Sequence, residues 1–395
     1  MHLSTPQPAA RPHSATFTRR SALVSAAALS AAGGLAACGG DSGSSAAPPV
    51  NEIAVGTTPE HYPAEYSRIV EGSRSEGGEL TIYSNTDQEN WAPIFRDFQK
   101  KYDWIEAVNA NNLDSDEVFQ RALSEQATGS SPADLLVSNA AQAWAEYTSS
   151  PGRVMEYASP ELDKLPEFAQ LAPNVYALSV DPMTIAFNTG LLSEKPTGIA
   201  HLAELVAADQ DTFRDKITTR DVGGAFGFTV SHAFTQADPS TWAALETILP
   251  LARPETSSGT QTEKILAGEY VVGFFISAAP AYPVQANSGG LFDLVFPDDG
   301  TVVLPRGIAI APQAPHPNTA KLFLDFVLSA EGQAAAAEGG LTSYRDDVES
   351  AEGRHTYADV LSAVGQDGVV MVPFTLVPEA EVDAFTERWN GLLDS

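Results

Sequence analysis

Short polar side chains follow two of the apolar runs in the first half of the sequence. Ser84, Asn85 and Thr86 come directly after one run, and Ser138 and Asn139 end a second. Hydroxyl and amide groups beside the amino terminus of a following helix are suited to hold phosphate or carboxylate. These residues therefore predict a binding site for an anionic or polyhydroxylated solute. The alternative interpretation is that they only cap turns and helices.

A second polar cluster, Thr256–Thr260, precedes an apolar helical pattern and contains Ser257 and Ser258. Ser277 similarly follows the strand-like run Tyr270–Ile276. Both positions suit contact with the same kind of solute, because a helix amino terminus carries partial positive charge. A helix cap and turn would explain Thr256–Thr260 equally well.

Two arginines, Arg220 and Arg306, stand beside strand-like runs in a chain with few cationic side chains. A guanidinium at a strand end can hold phosphate or carboxylate through two parallel hydrogen bonds. The sequence therefore predicts that both arginines bind the solute. Pairing with surface carboxylates is the alternative for each of them.

The sequence lacks the motifs of common enzyme classes. It has no Gly-x-Ser-x-Gly elbow, no His-Glu-x-x-His, no Gly-x-x-x-x-Gly-Lys loop and no Gly-x-Gly-x-x-Gly fingerprint. Pairs of carboxylates say little, because 51 acidic residues guarantee coincidental pairs. We therefore predict a binding protein without catalytic residues or cofactor, and a secreted hydrolase is the less favoured alternative.

Composition limits the partners of the protein. The 395 residues include 22 Lys plus Arg and 51 Asp plus Glu, which give a formal net charge of −29. A surface this acidic repels phosphate backbones and anionic lipid, so nucleic-acid binding is excluded. The single cysteine, Cys38, excludes an internal disulfide and a multi-cysteine metal site.

The amino terminus carries the features of an export signal. Arg19 and Arg20 precede an apolar run over residues 22–35, which is too short to span a bilayer. Leu35-Ala36-Ala37-Cys38 follows and resembles the lipobox of bacterial lipoproteins. We predict a Tat-type lipoprotein signal peptide over 1–37, a lipid on Cys38 and a flexible tether over 38–76. The alternative is an Ala-rich tail with a chance match.

The body alternates strand and helix patterns. Residues 79–83, 105–108 and 133–138 read as strands, with amphipathic helices between them. A second set of elements begins near Met183, and a helix is predicted from Asn318 to the Gly339–Gly340 pair. This alternation predicts an α/β fold in which ligands bind at the carboxyl ends of parallel strands.

The order of five motifs resembles that of extracellular solute-binding proteins of ABC importers, in the branch of ferric-iron, sugar-phosphate and phosphoglycerate binders. The motifs are Leu80–Ser84 ahead of an amphipathic helix, Pro132–Leu136, Ile185–Thr189, Ile265–Glu269 and Ala320–Gln333. The resemblance implies a type II periplasmic-binding fold, with two lobes of mostly parallel sheet joined by hinge strands. It divides the chain into lobe 1 (77–180 and 305–345), lobe 2 (181–304) and a segment over 346–395 that packs on a lobe.

The same resemblance implies a monomer on the outer face of the cell membrane that captures a small solute and delivers it to an ABC permease. A receptor that presents the solute to a membrane sensor would have the same sequence features. The identity of the solute stays open, with an organic phosphate as the favoured class.

Iron binding is the alternative within this branch. The resemblance places Asp87, Asn139, Ala278 and Ala279 where ferric binders have a His, a Glu and two adjacent tyrosines. Ferric iron prefers anionic oxygen ligands, and among these positions only Asp87 supplies one. Asp87 with Tyr282 remains the alternative metal pair, and a chelated ferric complex also remains open.

Overall fold

The computed structural model describes residues 55–115, 117–349 and 355–395. These described residues form one compact unit. Its strands are β1 Glu79–Ser84, β2 Ala107–Asn112, β3 Leu135–Ser138, β4 Gln170–Ala172, β5 Val175–Asn188, β6 Ile217–Arg220, β7 Ala252–Glu255, β8 Val272–Ser277, β9 Phe292–Val295, β10 Thr301–Ile310 and β11 Val369–Met371. Its α-helices are α1 Ser67–Arg74, α2 Gln88–Lys101, α3 Glu117–Ala127, α4 Ala141–Thr148, α5 Ile199–Ala208, α6 Gln210–Phe213, α7 Ala225–Ala237, α8 Trp242–Ile248, α9 Ser258–Ala267, α10 Ala278–Asn287, α11 Pro317–Leu328, α12 Ala330–Glu338, α13 Tyr357–Val364 and α14 Glu379–Leu393.

The first half of the sheet is built on β1. This strand pairs in parallel with β2 and β3, and β3 pairs with β10 in the antiparallel sense. Leu80 and Ile82 of β1 are fully buried against the apolar stripe of α2, which includes Trp91 and Phe98. This packing aligns the carboxyl ends of β1 and β3, and it confirms the predicted α/β class.

The long strand β5 belongs to both halves of the sheet. Its first part pairs with β10, and its second part pairs with β8 and β9. All 14 of its residues are buried. Two prolines face the β5–β10 ladder, Pro182 opposite Val303 and Pro305 opposite Val180. Neither proline can donate a backbone hydrogen bond, so this ladder lacks two donors where β5 passes between the two halves.

The second half of the sheet is built on β6, which pairs in parallel with β7 and β8. A core of buried aromatic and aliphatic side chains, including Phe234 and Phe274, packs against it. The order across both halves is β2-β1-β3-β10-β5-β8-β6-β7.

The carboxyl-terminal segment reaches across both halves. β11 pairs in parallel with β10, and α14 buries Phe385 and Trp389 in the core of the second half. Phe374 contacts hydrophobic clusters of both halves. The amide of Val377 donates to Oε1 of Gln142 in α4 at 3.0 Å.

The structure differs from the predicted tether over 38–76 in the last part of that range. Ser67–Arg74 forms α1, and the Oγ atoms of Ser73 and Thr319 in α11 lie 2.9 Å apart. Tyr66 is buried and donates its hydroxyl to Asp325 at 2.8 Å. The Gly/Ser/Pro composition of the earlier residues does not extend to these apolar and hydrogen-bonding side chains. The signal peptide and Cys38 lie outside the described residues.

The predicted helix over Asn318–Gly340 is two helices. Pro317 occupies the first turn of α11, where a missing N–H costs nothing, and His316 rather than Asn318 precedes the helix. Ser329 ends the helical path, because its backbone is extended and its hydroxyl accepts from the amide of Gly332 to start α12. Among the described residues, no helix combines the length and apolar character needed to cross a bilayer.

Candidate functional site

A cleft of about 360 Å³ lies at the carboxyl ends of β1, β3, β6 and β8. Both halves of the sheet contribute to its walls. The lining residues are Asn85, Thr86, Asp87, Asn90, Asn139, Asp181, Arg220, Phe226, Ser257, Ser258, Gly259, Ser277, Ala279, Pro280 and Arg306. Most of the residues that the sequence singles out therefore share one cleft, as the strand-end argument requires.

The first wall is a hydrogen-bonded group around Arg306. Its Nη1 donates to Oδ1 of Asn85 at 2.9 Å and to Oγ1 of Thr86 at 3.0 Å. The amide of Asn85 in turn donates to Oδ1 of Asn139 at 2.7 Å and to Oγ of Ser115 at 2.8 Å. This network fixes the guanidinium of Arg306 and leaves its Nε buried without a partner.

The second wall is built from the starts of α9 and α10. Ser257 caps α9 by accepting from the amide of Thr260 at 3.0 Å, so the cap interpretation of this cluster is correct. Oγ of Ser258 accepts from the amide of Ser277 at 3.1 Å, which ties the two helix starts together. Capping does not remove either serine from the cleft, since both still line it.

Arg220 ends β6 and points its guanidinium over the ring of Phe226, 4.5 Å from the centroid. The side chain is buried, and its Nε and Nη1 have no hydrogen-bond partner. Burial lowers the pKa of Arg220 to about 10, with Asp221 and Asp181 opposing the shift. The guanidinium therefore stays positive at neutral pH and has donors to offer.

Four helices begin at the cleft. Residues in the first turns of α2, α7, α9 and α10 line it, namely Asn90, Phe226, Gly259 and Pro280. Each helix start carries partial positive charge and unpaired amide groups. The formal charges of Arg220 and Arg306 are matched by those of Asp87 and Asp181, and the helix starts add partial positive charge to the cleft.

Asp181 is the charged cleft residue that the sequence reasoning missed, and Asn90, Phe226, Gly259 and Pro280 also line the cleft without having been predicted. Asp181 lies in β5, only 4% exposed, and accepts from Oγ of Ser277 at 2.6 Å. One signal in the sequence could have identified it, namely a single carboxylate inside the otherwise uncharged run Val175–Phe187. Such a residue needs a buried partner, which here includes the nearby charge of Arg306.

Ser84 and Ser138 do not line the cleft, although both were predicted to bind the solute. The hydroxyl of Ser84 accepts from the amide of Thr86 at 2.9 Å, and that of Ser138 donates to the carbonyl of Ser115 at 3.0 Å. Both side chains are buried beneath the loops that carry the lining residues. Their hydroxyls therefore hydrogen-bond to backbone groups next to residues that line the cleft.

The structure does not join Asp87 and Tyr282 into a metal site. Asp87 lies exposed on the cleft and accepts from Asn112 at 3.2 Å. Tyr282 is buried outside the cleft lining, and its ring stacks on His355 with centroids 3.4 Å apart. Burial raises the pKa of the Tyr282 hydroxyl, which disfavours the phenolate that iron requires. Among the described residues, no three His, Cys, Asp or Glu side chains group to hold a metal ion.

Comparison with known proteins identifies the family. Residues 94–360, more than half of the chain, match the model of the bacterial extracellular solute-binding protein family. The chain belongs to this family, whose members bind solutes and are not enzymes. A search among curated proteins finds no significant sequence match.

Solved structures share the fold at low sequence identity. The substrate-binding protein of an ABC transporter from Agrobacterium tumefaciens is 22% identical, with a TM-score of 0.70 over 81% of this chain and 96% of that one. AfuA from Actinobacillus pleuropneumoniae with fructose-6-phosphate bound is 19% identical, with a TM-score of 0.60 over 80% and 98%. Iron-bound HitA from Pseudomonas aeruginosa is 18% identical, with a TM-score of 0.62 over 79% and 99%. The predicted type II periplasmic-binding fold is thereby confirmed.

Proposed function

We propose that this protein is the solute-binding component of an ABC importer and that its cleft holds a small anionic solute, with organic phosphates as the favoured class. The observation that carries the proposal is the pair of buried arginines. Arg220 and Arg306 come from different halves of the sheet, and both have buried N–H groups without partners. An anion between them would supply those partners, and charge-assisted hydrogen bonds to guanidinium are among the stronger ones in proteins.

The solute acts by drawing the two halves together. Asn85 and Asn139 belong to the first half, while Arg220, Ser258 and Ser277 belong to the second. A solute that contacts both sets favours the closed arrangement by its differential affinity for it. The closed protein then docks on a permease and releases the solute unchanged. Presentation of the solute to a membrane sensor would use the same step.

The amino-terminal features complete the proposal. A Tat-type signal peptide over 1–37 and lipidation of Cys38 would hold a monomer on the outer face of the membrane. The family of extracellular solute-binding proteins is consistent with this location. Replacing Cys38 by Ser should release the protein from the membrane fraction of cells that express it, as fractionation can test.

Ferric iron is the second candidate because iron-bound HitA shares the fold. Two guanidiniums on the cleft repel a bare cation, and the carboxylates available there are Asp87 and Asp181. A ferric chelate with surplus negative charge would suit the same arginines better than the free ion. Iron therefore enters the test as a chelate as well as a salt.

Calorimetry on the purified protein tests the proposal. The probes are inorganic phosphate, glycerol 3-phosphate, glucose 6-phosphate, glucose, ferric citrate and ferric chloride. We expect saturable binding of at least one phosphate ester and none of glucose. Binding of ferric chloride with a visible absorbance band, together with no binding of any phosphate ester, would refute the anion proposal.

A further inference from the structure

Asp181 places a carboxylate inside a cleft that otherwise favours anions. The residue lies in β5 where this strand passes from one half of the sheet to the other. One oxygen, Oδ2, accepts from Ser277 at 2.6 Å. The other oxygen, Oδ1, is buried and makes no hydrogen bond of normal geometry, although the backbone amides of Ala278 and Ala279 lie close to the carboxylate.

Such a carboxylate is costly in a site that holds only an anion. Burial raises the pKa of Asp181, while Arg306, Ser277 and the first amides of α10 oppose that shift. An ionised carboxylate so close to the guanidiniums weakens their attraction for a second negative group. A neutral side chain of the same size would still accept from Ser277 without this penalty.

We infer that Asp181 is a specificity-determining residue whose Oδ1 accepts a hydrogen bond from a hydroxyl or ammonium group of the bound solute. This inference rests on the proposed function, since the guanidiniums of Arg220 and Arg306 hold the anionic group of the same molecule. The solute is therefore a phosphate, phosphonate or carboxylate that also carries a donor on its carbon skeleton. An anion without such a donor leaves Oδ1 unpaired and meets its repulsion, so the cleft rejects it.

The cleft volume agrees with a solute of this kind. About 360 Å³ accommodates a phosphorylated polyol or amino compound of modest size, which lies at the small end of ligand-binding cavities. Asp181 and Arg220 both line this cleft, so one small molecule can contact both side chains.

Matched pairs of probes test the inference by calorimetry. Glycerol 3-phosphate is compared with propyl phosphate, and 2-aminoethylphosphonate with ethylphosphonate, so that the members of each pair differ mainly in the donor. We expect the parent protein to bind the donor-bearing member of at least one pair more tightly by about tenfold or more. In Asp181→Asn this preference should shrink to about threefold or less, with the donor-free anion binding as well as or better than in the parent.

Asp87→Asn is the control variant because it removes the same charge from an exposed position on the same cleft. It should change affinity for both members of a pair alike and leave their ratio intact. If the affinities for the two members of a pair have the same ratio in the parent and in Asp181→Asn, the inference is wrong. Binding of a phosphate probe in that experiment would still support the anion proposal. Failure of the parent to bind any of the four probes or inorganic phosphate would overturn both. Unfolding temperatures of the unliganded variants show that each is folded.

Discussion

A buried arginine with unpaired N–H groups lowers the stability of a protein unless something compensates. Arg220 is 9% exposed and Arg306 is 6% exposed, and among the described residues neither has a carboxylate oxygen within 4.0 Å. Removing a charge from water costs several kcal/mol, and unpaired donors add to that cost. The two arginines are therefore best explained by the solute that completes their hydrogen bonds.

Replacing Arg220 by Gln should weaken binding and spare stability. We expect the affinity for the phosphate ester found by calorimetry to fall by about ten- to a hundredfold, because one charge-assisted contact is lost. The unliganded variant should unfold at the same temperature as the parent or higher, since an uncompensated buried charge is gone.

Arg253→Gln is the matched control for this variant. Arg253 lies on the neighbouring strand β7, is exposed, and pairs with Asp215 outside the cleft. The affinity of Arg253→Gln for the phosphate ester should equal that of the parent. Equal affinities in Arg220→Gln and Arg253→Gln would remove Arg220 from the site.

At the residue scale, the sequence predicted most of the residues that reach the cleft from strand ends. It could not predict the direction in which a hydroxyl group points. Arg220, Asn85 and Asn139 line the cleft because the sheet aligns the carboxyl ends of β6, β1 and β3, whereas Arg306 reaches the cleft from the middle of β10. Ser138 occupies a similar position along the chain, yet its hydroxyl turns back to the backbone. That choice depends on neighbouring loops, which the sequence pattern does not fix.

Among the elements, α11 carries a buried carboxylate, Asp325, whose protonation couples to folding. Oδ2 of Asp325 in α11 accepts from Tyr66 at 2.8 Å and from Tyr157 at 2.6 Å. Burial raises the pKa of Asp325 from 3.8 to about 7, and the tyrosine hydrogen bonds oppose the shift. The folded protein therefore keeps a proton on Asp325 at pH values where the unfolded chain has lost it.

The sign of the pH dependence follows from this difference. Between about pH 4 and 7 the native state binds more protons than the unfolded state, so the contribution of Asp325 to stability falls as the pH rises. At about 1.4 kcal/mol for each pKa unit, the loss is at most about 4 kcal/mol. We expect Asp325→Asn to gain stability relative to the parent across this window, as chemical denaturation at several pH values can measure.

Asp347→Asn provides the comparison for that experiment. Hydrogen bonds from Arg345 lower the pKa of Asp347, so its contribution is lost only as the pH falls below about 4. The difference between this variant and the parent should stay constant from pH 5 to 7. A constant difference for Asp325→Asn as well would show that Asp325 does not retain its proton on folding.

Element boundaries could be predicted where the local sequence pattern sets them. They could not be predicted where pairing with a distant strand sets them. β1, β2 and β3 begin within two residues of their predicted positions, because apolar periodicity and turn residues mark them. The second set of elements was predicted to begin near Met183, although β5 starts at Val175. The first part of β5 is stabilised by pairing with β10, which is distant in sequence. The local sequence pattern of β5 does not reveal that partner.

For the whole molecule, the positive cleft lies inside a strongly acidic chain. The net charge of −29 repels an anionic solute at long range, whereas Arg220 and Arg306 act only at short range because they are buried. Salt screens exposed charges over about 10 Å at 0.1 M and affects buried contacts much less. Salt should therefore help the solute to approach more than it weakens the bound state.

We expect the association rate of the phosphate ester to rise by about two- to threefold between roughly 10 and 200 mM salt. The dissociation rate should change less. Stopped-flow tryptophan fluorescence at several salt concentrations measures both rates. A fall in the association rate with salt would mean that the positive potential of the cleft extends beyond the acidic surface.

The two prolines of the β5–β10 ladder adjoin two charged residues that line the cleft. Pro182 follows Asp181, and Pro305 precedes Arg306. Bending at these positions breaks no amide hydrogen bond of the prolines, because they have none to break. A cargo molecule that touches Asp181 and Arg306 would therefore press directly beside the two strand positions that lack an amide donor.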